Sequence, residues 1–333
     1  MSPTSGLQRL RPRLCDASPV RLTGAASLLA VGVAILCGCG AARAGATLQA
    51  GASAAGAHRA ERSHVILIML ENRELDEVIG SSSAPYINRL ARRYLLATDY
   101  HATTHPSLPN YISLIAGSTL GISSDCTECE AHGETLVQQL ERAHESWGAF
   151  MEGMPSPCYT GEASGQYVKR HDPFIYFPEI INDPARCRNI VPITQFVRDV
   201  RSGSLPSFSW ITPNLCNDGH DCGTSEVDHY LSGVVPYILS VLGPHGLLII
   251  TWDEGATDSS CCSAAAGGIV PLIVAGPDVR AHHRFTGAAD HYSLLALVER
   301  VFGLSRLRRA ACSCTPSLNG VFKHNRPPLL NRR

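Results

Sequence analysis

His64-Val-Ile-Leu-Ile-Met-Leu-Glu-Asn72 and Gly246-Leu-Leu-Ile-Ile-Thr-Trp-Asp-Glu254 decide the reading of this chain. Each is a short apolar run that ends abruptly in an oxygen-rich doublet, Glu71-Asn72 in the first and Asp253-Glu254 in the second. Apolar runs of this length predict strands buried on both faces, as in a parallel sheet covered by helices. Ligands of such sheets bind just beyond the carboxyl ends of the strands, so both doublets are expected on one rim. Carboxylate and amide oxygens suit a hard or borderline divalent cation, and the two doublets together offer enough of them for one ion. Neighbouring strand residues point to opposite faces, so both members of a doublet reach one ion only where the chain has left the strand. Gly255 supplies a turn after the second doublet.

From His64 onward, short apolar runs alternate with longer periodic ones, the pattern of an α/β fold with a mostly parallel sheet. Strands are predicted at 65–70, 95–101, 147–151, 207–211, 247–252 and 270–274. Helices are predicted at 84–94, 109–116, 135–143, 193–200, 231–242 and 292–301. The segment after Leu304, rich in Arg and Pro, reads as a poorly ordered end.

The chain has 333 residues, 44% of them hydrophobic, and a net charge of −1. That length suffices for one large α/β domain. The mature part has no concentrated Lys/Arg run, so a nucleic-acid partner is not expected. Residues 1–44 read as an export signal: Arg9, Arg11, Arg13 and Arg21 precede an apolar stretch from about Ala25 to Cys37. Cleavage is expected after Ala44, or at a lipobox-like Leu36-Cys37-Gly38-Cys39 that would place a lipid anchor on Cys39. Such an anchor is the single membrane association expected, for an otherwise secreted protein. Residues 45–61 are read as an Ala/Gly-rich linker, 62–305 as the main folded domain and 306–333 as a C-terminal tail.

Of 13 cysteines, Cys15, Cys37 and Cys39 fall in the export signal; the other ten form an even set, as expected for disulfides in an exported protein. The favoured pairs are Cys126–Cys129, Cys158–Cys187 and Cys216–Cys222, with Cys261 or Cys262 reaching Cys312 or Cys314. A zinc site at Cys126 and Cys129 is the weaker reading, because the next candidate pair is far away in sequence.

Between the two doublets lies Thr103-Thr-His-Pro-Ser-Leu-Pro-Asn-Tyr111. Proline is favoured in the first helical turn, which places Ser107 at the start of a helix whose positive end faces any phosphate there. A serine hydroxyl is a weak nucleophile until a metal or a base activates it. Asn110 is positioned to donate its amide to a phosphoryl oxygen. Taken alone, Ser107 would be an ordinary N-cap; its place between the doublets makes it the candidate nucleophile. Histidines near predicted strand ends supply proton donors and cationic contacts: His171, His220 and His291, with His105 and Lys169 as further substrate-binding candidates.

Seven segments together resemble the phosphoesterase family of bacterial acid phosphatases and phospholipases C. They are Glu71-Asn-Arg-Glu-Leu-Asp76, His105-Pro-Ser-Leu-Pro-Asn110, Ser146 to Met154, Tyr167 to Pro173, Ile211 to Asp221, Trp252-Asp-Glu-Gly255 and Asp290-His-Tyr-Ser-Leu-Leu295. They run in order over about residues 62–305. The resemblance implies an alkaline-phosphatase-like, three-layer α/β/α sandwich. It implies that Glu71, Asn72, Asp253 and Glu254 bind a divalent metal, that Ser107 is the nucleophile, and that Asn110, His171 and His220 hold the phosphate. One metal ion is expected, with Asp218, His220 and His291 as the second site of a two-metal variant.

The resulting expectation is a phosphomonoesterase working through a phosphoseryl intermediate on a phosphorylated small molecule or phospholipid. A phospholipase C is the first alternative. It is disfavoured by an aromatic content of 6% and by the lack of a second β-rich domain. A non-catalytic binding module on the same scaffold is the second, disfavoured because the ligand set and the serine are all present.

Overall fold

The structure is a computed structural model that describes residues 62–324. The export signal, the lipidation motif at Cys39, the linker and residues 325–333 lie outside this range.

The sheet has eight strands. They are β1 (Val65–Leu70), β2 (Leu95–Ala97), β3 (Trp147–Met151), β4 (Ile190–Pro192), β5 (Phe208–Thr212), β6 (Leu247–Trp252), β7 (Leu272–Ala275) and β8 (His283–Phe285), in the spatial order β8-β2-β7-β6-β1-β5-β3-β4. Pairings are parallel except those of β7, which runs antiparallel to both β6 and β2. The two doublet-bearing strands, β1 and β6, are neighbours in register, Leu70 beside Trp252. Their doublets therefore emerge side by side on one rim.

All six β1 residues are buried, although alternate side chains point to opposite faces, so the sheet is covered on both sides. Removing each such aliphatic side chain from water contributes about 1.5–3 kcal/mol. Helices α1 (Pro85–Arg93), α2 (Ser107–Ala116), α3 (Leu136–Arg142), α4 (Thr194–Ser202), α5 (Thr224–Val241) and α6 (His291–Phe302) supply the cover, with α1 packed on α5 and α2 on α6.

Three expectations are corrected. The run at 95–101 is two strands: β2 ends at Ala97, and Tyr100–His101 pairs with Ala289–Asp290 in a separate ribbon. Residues 305–324 are not a loose end. Leu307, Ala310, Leu318, Val321 and Phe322 are buried, and Arg308 donates to the Ala116 carbonyl at the end of α2 over 2.7 Å. Gly117 makes that approach feasible: its φ is +68°, and a Cβ there would stand 2.6 Å from the Leu307 carbonyl oxygen. Finally, the cysteines pair as Cys126–Cys129, Cys158–Cys187 and Cys216–Cys222, but then as Cys261–Cys262 and Cys312–Cys314. The last two pairs do lie together, with the Ser263 hydroxyl 3.2 Å from the Cys314 sulfur. Sequence spacing could not separate closure between these pairs from closure within each.

Candidate active site

Glu71 follows directly on β1, and its N–H bonds to the Asp218 carbonyl at 2.9 Å. Asn72 then adopts φ 54°, a left-handed conformation that asparagine tolerates better than most residues. The strand pleat ends there. The Asn72 N–H donates to Asp253 Oδ1 at 3.0 Å, and the Arg73 N–H to the Glu254 carbonyl at 3.1 Å, so the two doublets are tied to each other. Arg73 donates further to the carbonyls of Gly219 and Cys222, fixing the Cys216–Cys222 loop that carries Asp218 and His220 against the same rim.

Ser107 is the first residue of α2, a helix in which all ten residues are buried. A helix apolar on every side belongs in the core, which makes it a rigid platform. From it the Ser107 hydroxyl lies 3.1 Å from Glu71 Oε2 and 3.2 Å from Glu254 Oε1. One turn on, the Tyr111 hydroxyl donates to Glu71 Oε1, and its ring lies parallel to that of His171 at 5.5 Å. Tyr111 was missed in the sequence, although its i+4 spacing from Ser107 puts both on one helix face.

His171 sits in a buried slot with Nε2 3.3 Å from Glu71 and Nδ1 3.3 Å from Asp218. Burial lowers its pKa to about 3, which keeps the imidazole neutral, the form that binds metals. Desolvation acts oppositely on the acids. It pushes Asp218 up to about 7, and with the added repulsion of Asp253 it pushes Glu254 up to about 7. Burial raises Asp253, and burial followed by the charges of Asp253 and Asp218 raises Glu71 well above the carboxylate range. Buried acids crowded in this way hold protons unless a cation replaces them.

A divalent cation fits this donor set. His171 Nε2, Asp218 Oδ2 and Asp253 Oδ2 are buried without an aligned hydrogen-bond partner among the described residues. Glu71, His171 and Asp218 each bring one ligand atom within 4.8 Å of the others, the one such tight group of acidic, His or Cys side chains among the described residues. This group overlaps the expected second site but contains His171 in place of His220 and His291. Glu71 is common to it and to the doublet set. In the doublet set, the Asn72 amide nitrogen faces Glu71 at 3.3 Å, an orientation that a flip of the amide would reverse.

Other candidates stand elsewhere. His291 is buried behind Asp253: Nε2 donates to the Asp253 carbonyl at 2.7 Å, and Nδ1 takes the Tyr100 hydroxyl at 2.7 Å. Both ring nitrogens are thus occupied, one on the second doublet and the other on Tyr100. Asn110 is used up within its own loop, accepting from the Thr103 and Thr104 N–H groups and donating to the Thr104 and Pro106 carbonyls. Lys169 turns away, to the Thr127 carbonyl at 2.6 Å and the Tyr176 ring. His105 is half-buried, with Nδ1 on Glu254 and Nε2 donating to the Thr257 carbonyl. His220 sits at the mouth, its Nδ1 donating to Asp221 at 2.7 Å and its Nε2 accepting from Arg170 at 3.1 Å, a neutral tautomer. Arg170 and Asp125, which flank it, were not singled out in the sequence. Asp125 comes from a long loop with no periodic spacing to mark it.

The sequence profile of the Phosphoesterase family matches residues 81–305. The chain belongs to the Phosphoesterase family. This member is 30% identical over 256 residues to a phosphate-repressible acid phosphatase of Penicillium chrysogenum, an alignment covering 74% of this chain and 60% of the fungal one. It is 29% identical over 248 residues to a phosphatidylinositol-3-phosphatase of Mycobacterium tuberculosis, covering 73% of this chain and 78% of that one. The chain thus spans about three-fifths of its fungal relative's length. Among solved structures, a protein in the alkaline phosphatase superfamily from Vibrio parahaemolyticus superposes with TM-score 0.53 at 13% identity, over 78% of this chain and 71% of that one. The expected α/β fold with its mostly parallel sheet is therefore the observed one.

Proposed function

We propose that the protein is a metal-dependent phosphoester hydrolase, and specifically a phosphomonoesterase of the acid phosphatase type with Ser107 as nucleophile. One observation carries this reading: a buried serine hydroxyl at a helix start lies 3.1 and 3.2 Å from carboxylates that emerge from two adjacent parallel strands. A surface role does not require such burial.

Glu71, Asn72, Asp253 and Glu254 would hold a divalent cation, which when bound polarises the phosphoryl group and lowers the pKa of the serine hydroxyl. Glu71 and Glu254 already orient the Ser107 hydroxyl and are placed to accept its proton. Attack forms the Ser107 O–P bond and releases the alcohol, which takes a proton. Water supplies that proton, because the Nδ1–H of His220 is held by Asp221 and its Nε2 accepts from Arg170, which leaves it no free N–H to give. Water then hydrolyses the phosphoserine, returning the serine hydroxyl and inorganic phosphate. His171 and Asp218 stand against Glu71 and are the residues for a second cation. His291 acts through Asp253 as a positioning residue.

A phosphorylated lipid headgroup is the second substrate class, supported by the name of the mycobacterial relative. Export, and membrane attachment through Cys39, belong to the same reading. Among the described residues, no helix is long and apolar enough to cross a membrane. The deciding experiment is metal depletion and add-back on p-nitrophenyl phosphate, its diester analogue and phosphatidylcholine. Metal-dependent cleavage that is fastest on the monoester is expected. Preference for phosphatidylcholine would make the protein a phospholipase C, and no cleavage of any of the three would favour a binding module.

A further inference from the structure

Arg170 adjoins His171 in sequence and lies at the mouth of the same site, half-buried with 28% of its side chain exposed. One Nη2–H donates to His220 Nε2 at 3.1 Å, and Nε stands 3.7 Å from Asp125 Oδ2. The other Asp125 oxygen accepts the N–H of Leu108, the residue after the nucleophile, at 2.9 Å. The guanidinium is thereby linked to the backbone beside Ser107 through one intervening carboxylate. It also bonds to His220, whose ring lies 5.5 Å from that of His171.

The bonding of Arg170 is unbalanced for a structural latch. A guanidinium has five N–H donors in a planar fork and makes its strongest bonds as bidentate pairs with carboxylate or phosphate. Here the one carboxylate approaches at 3.7 Å and not in a fork, and the second partner is a neutral imidazole nitrogen. Among the described residues, no further side-chain partner of Arg170 is within bonding distance, so most of its five donors have no side-chain acceptor. Meanwhile, the acids, Asn110 and Lys169 offer an anion no free donor. Glu71, Asp218, Asp253 and Glu254 are acidic, Asn110 is consumed by its loop, and Lys169 points to Thr127.

We propose that Arg170 binds the phosphoryl oxygens of the substrate and sets the preference for a dianionic monoester over a monoanionic diester, with Asp125 orienting it. This rests on the phosphatase reading above and assigns the substrate-charge recognition that Lys169 and Asn110 do not provide. A monoester carries one more negative charge and one more unsubstituted oxygen than a diester. It therefore gains more from a fixed guanidinium than the diester does.

The test compares wild type with Arg170→Met and Arg170→Lys in the metal-loaded protein. Kinetics are measured on p-nitrophenyl phosphate and bis-p-nitrophenyl phosphate, and binding of inorganic phosphate by calorimetry. Arg170→Met is expected to lose about ten- to hundredfold in kcat/KM on the monoester and about tenfold less on the diester, with phosphate binding weakened by about tenfold. Arg170→Lys, which keeps the charge and loses the fork, is expected to fall between, with thermal melts confirming that both variants are folded. Equal losses on both esters, or unchanged phosphate affinity in a folded variant, would overturn the assignment. A wild type that cleaves neither ester would instead count against the phosphatase reading, and the phosphate titration would still decide whether Arg170 binds the anion.

Discussion

The Ser107 hydroxyl donates to Glu71 Oε2 over 3.1 Å, joining the first turn of α2 to the residue that follows β1. The other oxygen of Glu71 receives the hydroxyl of Tyr111, one turn along the same helix. Helix and strand end therefore grip one carboxylate at both of its oxygens, and it cannot swing away without breaking both contacts. That grip aligns the candidate nucleophile with the candidate metal ligands before any substrate arrives, the kind of preorganisation on which catalysis depends.

Ser107→Ala should abolish turnover while leaving the fold intact. Loss of an activated nucleophile is expected to cost at least about a thousandfold in kcat. Thermal unfolding should shift little, because the change removes one buried hydroxyl. Activity within about tenfold of wild type would pass the role to Thr103 or Thr104.

Glu71→Gln should lose metal and activity together, yet should not destabilise the metal-free protein. Without a cation, burial and crowding raise Glu71, Asp218, Asp253 and Glu254 towards their protonated forms, so the neutral Gln stands in for a protonated Glu71 of the same shape. Elemental analysis, with melts in chelator, checks both halves. Full metal occupancy in Glu71→Gln and Asp253→Asn alike would place the ion away from the doublets.

His291→Ala should act through stability and geometry, not proton transfer. It leaves the Asp253 carbonyl and the Tyr100 hydroxyl buried without their partner, at a cost of about 1–3 kcal/mol. The pH–rate profile should fall in height and keep its shape. Loss of one limb of that profile would restore His291 as a proton donor.

Glu299 predicts a pH dependence of stability well away from the candidate site. It is buried, one oxygen accepts the Leu307 N–H at 2.8 Å, and its carboxyl is pushed up to about 8 by burial. Between its ordinary value of 4.5 and about 8, the unfolded chain binds fewer protons at this group than the folded one. The contribution is complete below pH 4.5 and is lost as pH rises through about 8. Glu299→Gln should remove this fall, gaining on the order of 2 kcal/mol over wild type at alkaline pH. Denaturant melts from pH 5 to 9 with an identical slope in both proteins would mean that Glu299 is ionised in the native state.

The Cys158–Cys187 bridge spans 29 residues in sequence and should contribute about 3 kcal/mol through the entropy of the unfolded chain. A Cys158→Ser, Cys187→Ser double variant should show that loss in its denaturant midpoint. Alkylation of the native protein without reductant should label none of the ten cysteines paired here; labelling of all ten would reopen the zinc reading of Cys126 and Cys129.

The sequence by itself determined the strands β1 and β6, the helix start at Ser107 and the placing of two oxygen-rich doublets on one rim. These follow from local rules: apolar runs bury strands, proline opens helices, and parallel sheets gather their ligands at strand ends. The favoured pairs Cys126–Cys129 and Cys216–Cys222 rest on the same kind of rule, since loops of 3 and 6 residues close locally. Tertiary structure alone decided which polar groups are already occupied. Asn110 and Lys169 have suitable chemistry, but their bonds go to backbone carbonyls and amides that only the folded loops bring near. His291 follows an acidic residue at a helix start, a placing that suits an active-site histidine, and only packing shows its two nitrogens engaged with Asp253 and Tyr100. The pairing of Arg170 with Asp125 joins residues 45 positions apart on elements without periodic pattern, and no spacing rule reaches that far. Hydrogen-bond partners are a property of three-dimensional proximity; residue type limits what a group can do, and its neighbours decide what it is free to do.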